Sequence, residues 1–121
     1  LHTAYRRQRQ MCIRDRSISR AYYAVFHNAR ILCESRKELK KAYAQGGGEH
    51  EQVYNKLRQV NKGSKEFISK CHSIANNLKM LKCERQNADY VADTEITKRQ
   101  AELHYQKSER SLRAIEELKN L

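Results

Sequence analysis

The feature that most constrains the fold of this chain is the absence of proline from its 121 residues, which also contain only four glycines. At average usage about six prolines would be expected. Because these two residue types most often interrupt helices, long helical runs are possible almost everywhere. Apolar residues recur at spacings of three and four, and no strand alternation persists. We therefore predict an all-α fold, an antiparallel helical bundle.

The first sixteen residues differ from the rest of the chain. They read LHTAYRRQRQMCIRDR, with five Arg against one Asp and no apolar period. A signal peptide is excluded because no apolar core follows the basic residues. A basic arm for nucleic acid is one interpretation. The string RRQRQMCIRDR more closely resembles the in-frame translation of a transposase-type sequencing adapter. We therefore expect residues 1–16 to be a non-native segment, disordered or an extraneous helix, and residues 17–121 to form one domain.

The first half of that domain predicts two helices. One runs over residues 17–44, where nothing interrupts it, and its apolar face comprises Ile18, Tyr22, Val25, Ala29 and Leu32. The three glycines at 46–48 end it. A short helix is then predicted over residues 49–60, with Val53, Leu57 and Val60 on one side.

The second half predicts two more helices. Gly63 stops the short helix and Ser64 caps the next one, whose apolar stripe is the clearest in the chain: Phe67, Cys71, Ile74, Leu78 and Leu81. Polar residues over 87–94 are expected to interrupt this helix. Thr97 and Gln100 then form a capping box that opens a last helix to about residue 118, with Ala101, Tyr105, Leu112 and Ile115 facing inward.

Charge and cysteine content narrow the function classes. Residues 17–121 carry a net charge of +7, and residues 30–85 hold thirteen Lys or Arg against six Asp or Glu. This excess is either a solvated helix face or a surface for RNA, DNA or nucleotide phosphates. Cys33, Cys71 and Cys83 form no CxxC pair, so we expect reduced thiols in a cytoplasmic protein, with neither metal nor cofactor. The sequence contains no apolar stretch of about 20 residues, so we expect no membrane partner.

Three segments together resemble the HEPN domains, small helical proteins of prokaryotic nucleotide and RNA biology. Residues 19–30, SRAYYAVFHNAR, are similar to the family's "RaYYAvFhaar" helix. Residues 81–90, LKCERQNADY, are similar to its "LrxxRxxADY" segment. The closing helix after residues 95–97, with Ala101 and residues 108–110, is similar to the family's "ls-eea…Aeefl" end. His50 lies where a "tH" often follows the first loop. The family normally begins with a further amphipathic helix, so the resemblance implies a HEPN-like bundle that lacks its first helix.

The resemblance also implies a function. Such a protein would bind nucleotide or RNA, as a component of a toxin–antitoxin or phage-defence pair. It would form a homodimer that brings the two Arg85 regions together across a cleft. A nucleotidyltransferase-family protein would be its partner. The residues implied to bind nucleotide or RNA are Arg20, Tyr23, His27, Arg85, Asp89 and Tyr90.

Ribonuclease members of the wider superfamily carry an R-x(4–6)-H motif, and the resemblance places Arg85 at its Arg. That Arg would stabilise charge on the phosphorane when an RNA 2′-hydroxyl attacks its phosphate, and the His would move a proton. Here Tyr90 stands where His is expected, and tyrosine is a poor base at pH 7. Through space, His27 or His50 could carry the proton instead. The motif is thus incomplete, and the alternatives are a metal-independent endoribonuclease and a non-catalytic adaptor.

Each of these residues also has a structural interpretation. Arg85 could pair with Asp89 along one helix. Tyr22 and Tyr23 are expected to pack, one inward and one at a protomer interface. Tyr90 would need a partner for its hydroxyl if buried. His27 is expected to be a polar surface residue.

Overall fold

Helices make up nearly all of the described part of the chain. The computed structural model describes the backbone of residues 2–42, 46–90 and 97–121, and the side chains of residues 16–42, 46–86 and 97–121. The helices are α1 (His2–Ser35), α2 (Lys37–Lys40), α3 (Glu49–Gln59), α4 (Lys65–Tyr90) and α5 (Lys98–Lys119). Within those ranges no residue forms a strand, which confirms the all-α prediction.

Contacts between the long helices show how they run. Tyr23 of α1 meets Arg85 near the end of α4, and Arg36, directly after α1, meets Phe67 near the start of α4, so the two helices are antiparallel. Contacts between α4 and α5 run in the same opposed order, from Glu84 with His104, through Asn77 with Ser111, to Lys70 with Glu117. Helix α4 therefore lies antiparallel to both α1 and α5, as an antiparallel bundle requires.

The predicted apolar stripes form the core. Every residue named above for the faces of α1, α3 and α4 is at most 5% exposed. Burial of each large apolar side chain contributes about 1.5–3 kcal/mol relative to its exposure to water. Packing of these faces holds α1, α3, α4 and α5 together. None of the described helices is both long and apolar enough to cross a membrane.

The prediction of one helix over residues 17–44 is wrong beyond Ser35. Arg36 has an extended backbone, with φ −95° and ψ 129°, and it separates α1 from α2. Its guanidinium donates to Glu38 and to the carbonyl of Leu118, and lies 4.8 Å from the centre of the Phe67 ring. These contacts favour the break, and the short helix α2 that follows buries Leu39 completely. Periodicity could not reveal this break, because two of the partners of Arg36, Leu118 and Phe67, are distant in the chain.

The turn between α3 and α4 matches the sequence. Gly63 has φ +113°, in the region that favours glycine, and an added Cβ would lie 3.0 Å from the Phe67 ring. The Ser64 hydroxyl accepts from the amide of Phe67, so it caps α4 as predicted. Helix α4 continues to Tyr90, so the predicted interruption does not begin at residue 87. Residues 91–94 of that segment lie outside the described residues.

Helix α5 begins with the predicted capping box, in which Thr97 and Gln100 each accept from the other's amide. Its inward face is only partly as predicted. Ile115 is buried, but Tyr105 is 58% exposed and the adjacent His104 is buried instead. The polar partners that His104 finds on α1 and α4 explain the difference.

Candidate functional site

Three aromatic residues of α1 form the base of the candidate site. Tyr22 and Phe26 are four residues apart, so they share one helix face, and both are buried. Tyr23 lies beside them at the surface and is 46% exposed. Its ring meets the Tyr22 ring edge-on at 5.3 Å. Tyr22 therefore points inward, as predicted for one of the two tyrosines, and Tyr23 points outward; a protomer interface at Tyr23 stays a prediction.

His50 reaches this cluster from the first turn of α3. Its ring stacks on Phe26 with 3.9 Å between ring centres and 11° between ring planes. Its Nδ1 lies 2.6 Å from the Tyr22 hydroxyl oxygen. These contacts hold the start of α3 against α1. Sequence spacing alone could not place it there.

The Tyr22–His50 hydrogen bond assigns the protons of both groups. Burial raises the pKa of Tyr22 to about 12, so the phenol keeps its proton at neutral pH. Within the described residues Nδ1 of His50 is the hydrogen-bond partner of that hydroxyl, and we assign the hydroxyl as donor. Burial, followed by the positive charges of Lys82 and Arg85, lowers the pKa of His50. The neutral imidazole then carries its own proton on Nε2.

Arg85 completes the cluster from α4. Its guanidinium carbon lies 5.3 Å from the centre of the Tyr22 ring and 5.1 Å from that of Tyr23. Its Nη1 donates to the Tyr23 hydroxyl. Attraction between a cation and an aromatic face is worth about 0.5–2 kcal/mol at such distances. We call Tyr22, Tyr23, Phe26, His50 and Arg85 the Arg85 cluster.

A cleft adjoins the Arg85 cluster between α1, α3 and α4. Its volume is about 250 Å³. Aromatic and aliphatic groups line it together with two lysines and one carboxylate: Tyr22, Phe26, Leu78, Lys79, Lys82 and Glu51. Small-molecule sites are typically concave and mostly apolar with a few polar groups, and this cleft has that character.

The predicted binding residues divide into three groups. Arg85 and Tyr23 meet directly. Arg20 is exposed on α1, one turn before Tyr23, while exposed His27 contacts Arg30, which pairs with Glu49 at 2.8 Å. The side chains of Asp89 and Tyr90 lie outside the described residues, so the predicted Arg85–Asp89 pair stays a prediction.

Neither a role of Phe26 in the site nor the pairing of His50 with Tyr22 was predicted from the sequence. Phe26 belongs to the quoted α1 motif, and His50 follows the glycine loop, so both signals were present. What the sequence could not show is that α3 folds back over α1. Of the two histidines considered as proton carriers, His50 contacts Tyr22 and Phe26 of the Arg85 cluster, whereas His27 hydrogen-bonds to Arg30.

A second polar group lies between α4 and α5, with a backbone contact to α1. His104 is 1% exposed; its Nδ1 contacts the Glu84 carboxylate, and its Nε2 lies 3.2 Å from the Ile18 carbonyl oxygen. Lys107 donates to the same carboxylate at 3.0 Å. Asn77 donates to Ser111 at 3.1 Å. We call Asn77, Glu84, His104, Lys107 and Ser111 the α5 polar layer.

Comparisons with known proteins do not extend these assignments. No protein-family model matches the chain, and neither the curated proteins nor the solved structures gave a match. Within the side chains that the structure describes, no three His, Cys, Asp or Glu residues are placed to hold a metal ion.

Proposed function

We propose that this protein binds nucleotide or RNA through the Arg85 cluster and that it is a HEPN-like domain. The observation that carries the proposal is the position of Arg85, whose guanidinium lies against two tyrosine rings, one of them exposed. Guanidinium groups bind phosphate, and exposed aromatic rings stack on bases. The motifs around residues 19–30 and 81–90 supply the residues of this cluster on α1 and α4. In the family that they resemble, such a domain acts in toxin–antitoxin or defence systems.

The proposal extends to the assembly. A homodimer would bring two Arg85 clusters together, and exposed Tyr23 is suited to lie at its interface. A nucleotidyltransferase-family protein is the proposed partner. Both are inferred from the resemblance and from the exposure of Tyr23.

A second candidate function is metal-independent cleavage of RNA. It is favoured by one observation, the presence of His50 in the same cluster as Arg85. Arg85 would stabilise charge on the phosphorane and His50 would move a proton. In the assigned tautomer, however, Nε2 already holds a proton and so serves as a donor. This geometry supports binding more than base catalysis. A non-catalytic adaptor is the third candidate.

The decisive experiment measures binding of a labelled single-stranded RNA, and of AMP, at low salt and at physiological salt. We compare the full chain with Arg85→Gln and with Arg113→Gln, a matched change at an exposed position on α5. Residues 1–16 stay in every variant, so their five arginines contribute equally. Loss of a charge-assisted contact costs about 1.5–3 kcal/mol. Arg85→Gln should therefore weaken binding about ten- to hundred-fold, while Arg113→Gln changes it little.

The alternatives give different results. Degradation of the RNA by the wild type, abolished by Arg85→Ala, would favour the ribonuclease. Absence of binding to both ligands at low salt, together with salt-independent association with a protein partner, would favour the adaptor. Equal affinities of the Arg85 and Arg113 variants would contradict the proposed site.

A further inference from the structure

The cleft offers contacts that the Arg85 cluster does not. It shares Tyr22, Phe26 and His50 with the cluster but continues along α4 past Leu78 to Lys79 and Lys82. Its volume of about 250 Å³ falls a little below the 300–1,000 Å³ typical of sites for drug-sized molecules. The cleft therefore has room for one small group, such as a single base, and is too small to enclose a nucleic-acid duplex.

The walls of the cleft suit a flat ring. Tyr54 of α3 and Leu78 of α4 lie there with the buried aromatic residues of α1. Contact of a base with aromatic side chains is worth about 1–3 kcal/mol and tolerates any sequence, because every base has a flat face. A paired base in a duplex is already stacked on its neighbours, so an unpaired base is the better fit.

The charges at the cleft indicate where a phosphate would lie. Lys79 and Lys82 are three residues apart on α4, so both ammonium groups project from one side of the helix. Within the described residues neither of them forms an ion pair. Glu51 of α3 also lines the cleft and would repel a phosphate, which places the anionic end of a ligand at α4. Its carboxylate remains able to accept from ribose hydroxyls.

His50 contributes one directional group. Its Nδ1 is occupied by the Tyr22 hydroxyl, so Nε2–H is the remaining polar group of a ring that lines the cleft. A neutral N–H donor can bond to a carbonyl or ring nitrogen of a base.

We propose that the cleft binds a single nucleotide, with its unpaired base against the apolar walls and its phosphate at Lys79 and Lys82. The inference rests on the proposed function, which it deepens by naming the ligand as an unpaired nucleotide. That nucleotide is either free or part of a single-stranded RNA, since both present the same base and phosphate.

The reactivity of one cysteine can show whether this cleft is occupied. Cys83 is exposed and lines it, whereas Cys33 and Cys71 are buried. Alkylation of Cys83 by iodoacetamide, read from the mass of its peptide, should slow several-fold when the cleft is filled. We measure this rate with AMP, with a short single-stranded RNA and with the duplex of the same sequence, while anisotropy follows binding. Protection by AMP assigns a free nucleotide, protection by the single strand assigns RNA, and protection by both assigns the chemistry they share. The duplex should protect least.

A pair of variants tests the phosphate contact. Affinity for single-stranded RNA falls with salt, and Lys79→Gln with Lys82→Gln should make the negative slope of log affinity against log salt less steep by about 0.7, the value for one phosphate contact. The control, Lys62→Gln with Lys65→Gln, makes the same change in charge. Lys65 lies about 21 Å along α4 from Lys79 at 1.5 Å per residue. The control should leave the slope unchanged.

The results separate this inference from the proposed function. If RNA or AMP binds but Cys83 reacts at its original rate and the two lysine pairs behave alike, the cleft assignment is overturned while binding at the Arg85 cluster stands. If neither ligand binds at low salt, both proposals fail. Protection of Cys83 by the duplex as strong as by the single strand would also contradict an unpaired base.

Discussion

Two of the five histidines lie in contrasting surroundings: His50 in the Arg85 cluster and His104 in the α5 polar layer. His104 is almost fully buried, and both of its ring nitrogens face oxygen acceptors of the protein. His50 uses one nitrogen for Tyr22, and its ring lines an open cleft. The burial of a polar side chain therefore does not by itself mark a functional site. A polar group whose partners all belong to the fold stabilises it, whereas one with a donor left at a cleft can serve a ligand.

The largest expected effect on stability comes from the α5 polar layer. His104→Ala leaves a cavity and removes one of the two partners of the Glu84 carboxylate, the other being Lys107, so we expect a loss of about 2–4 kcal/mol of unfolding free energy. Urea denaturation measures it. The control is His72→Ala at an exposed position of α4, expected to change stability by less than about 0.5 kcal/mol. A similar small loss at both positions would show that the layer is not structural.

A smaller effect is expected within the Arg85 cluster. Tyr22→Phe keeps the buried ring and removes the hydroxyl that bonds His50, which should cost about 1 kcal/mol. Tyr105→Phe makes the same change at a surface tyrosine that hydrogen-bonds to Glu109, and should lower the unfolding free energy by only a few tenths of about 1 kcal/mol or less. We expect Tyr22→Phe also to weaken nucleotide binding, because His50 loses the bond that orients it. Unchanged binding would argue that His50 does not contact the ligand.

The cap of α5 offers a change that should affect stability without binding. Thr97→Ala removes one half of the capping box and should lower the unfolding free energy by about 1 kcal/mol. Since Thr97 lines neither the cleft nor the Arg85 cluster, affinity for RNA should stay at the wild-type value. Thr97→Ser, which retains the hydroxyl, should restore most of the stability. A fall in affinity for Thr97→Ala would mean that α5 docking and the candidate site are coupled.

The smallest expected change is a shift in the pKa of His50. The pKa of His50 lies below its ordinary value because of burial and then because of Lys82 and Arg85. In the unfolded chain His50 takes up its proton at higher pH, so its contribution to stability is present above about pH 6.5 and is lost as pH falls. Arg85→Gln removes one of those positive charges and should raise the pKa of His50, as measured by NMR. Arg113→Gln should not move it.

The sequence predicted those parts of the fold that depend on local patterns. The stripe from Phe67 to Leu81 and the capping box at Thr97 are visible in consecutive residues, and both are confirmed. The break at Arg36 and the burial of His104 depend on partners that are distant in the chain. No periodicity reports such partners, so the sequence predicted a longer helix and placed Tyr105 inside.

In the candidate site, too, some features were predicted from the sequence and others depend on packing between distant segments. Arg85 and Tyr23 were identified through motifs, and the structure brings them into contact. The pairing of His50 with Tyr22 and the cleft beside Lys79 follow from the way α3 packs across α1 and α4. That packing depends on the burial of Val53 and Leu57, which the sequence predicted without indicating where their helix would dock.

The difference between His50 and His104 is tested most directly by following their ring resonances by NMR while AMP or single-stranded RNA is added. We predict that the resonances of His50 shift in proportion to the bound fraction and that those of His104 stay unchanged. If binding saturates while His50 does not move, or if His104 shifts as much as His50, the distinction between a ligand-facing and a structural histidine is contradicted.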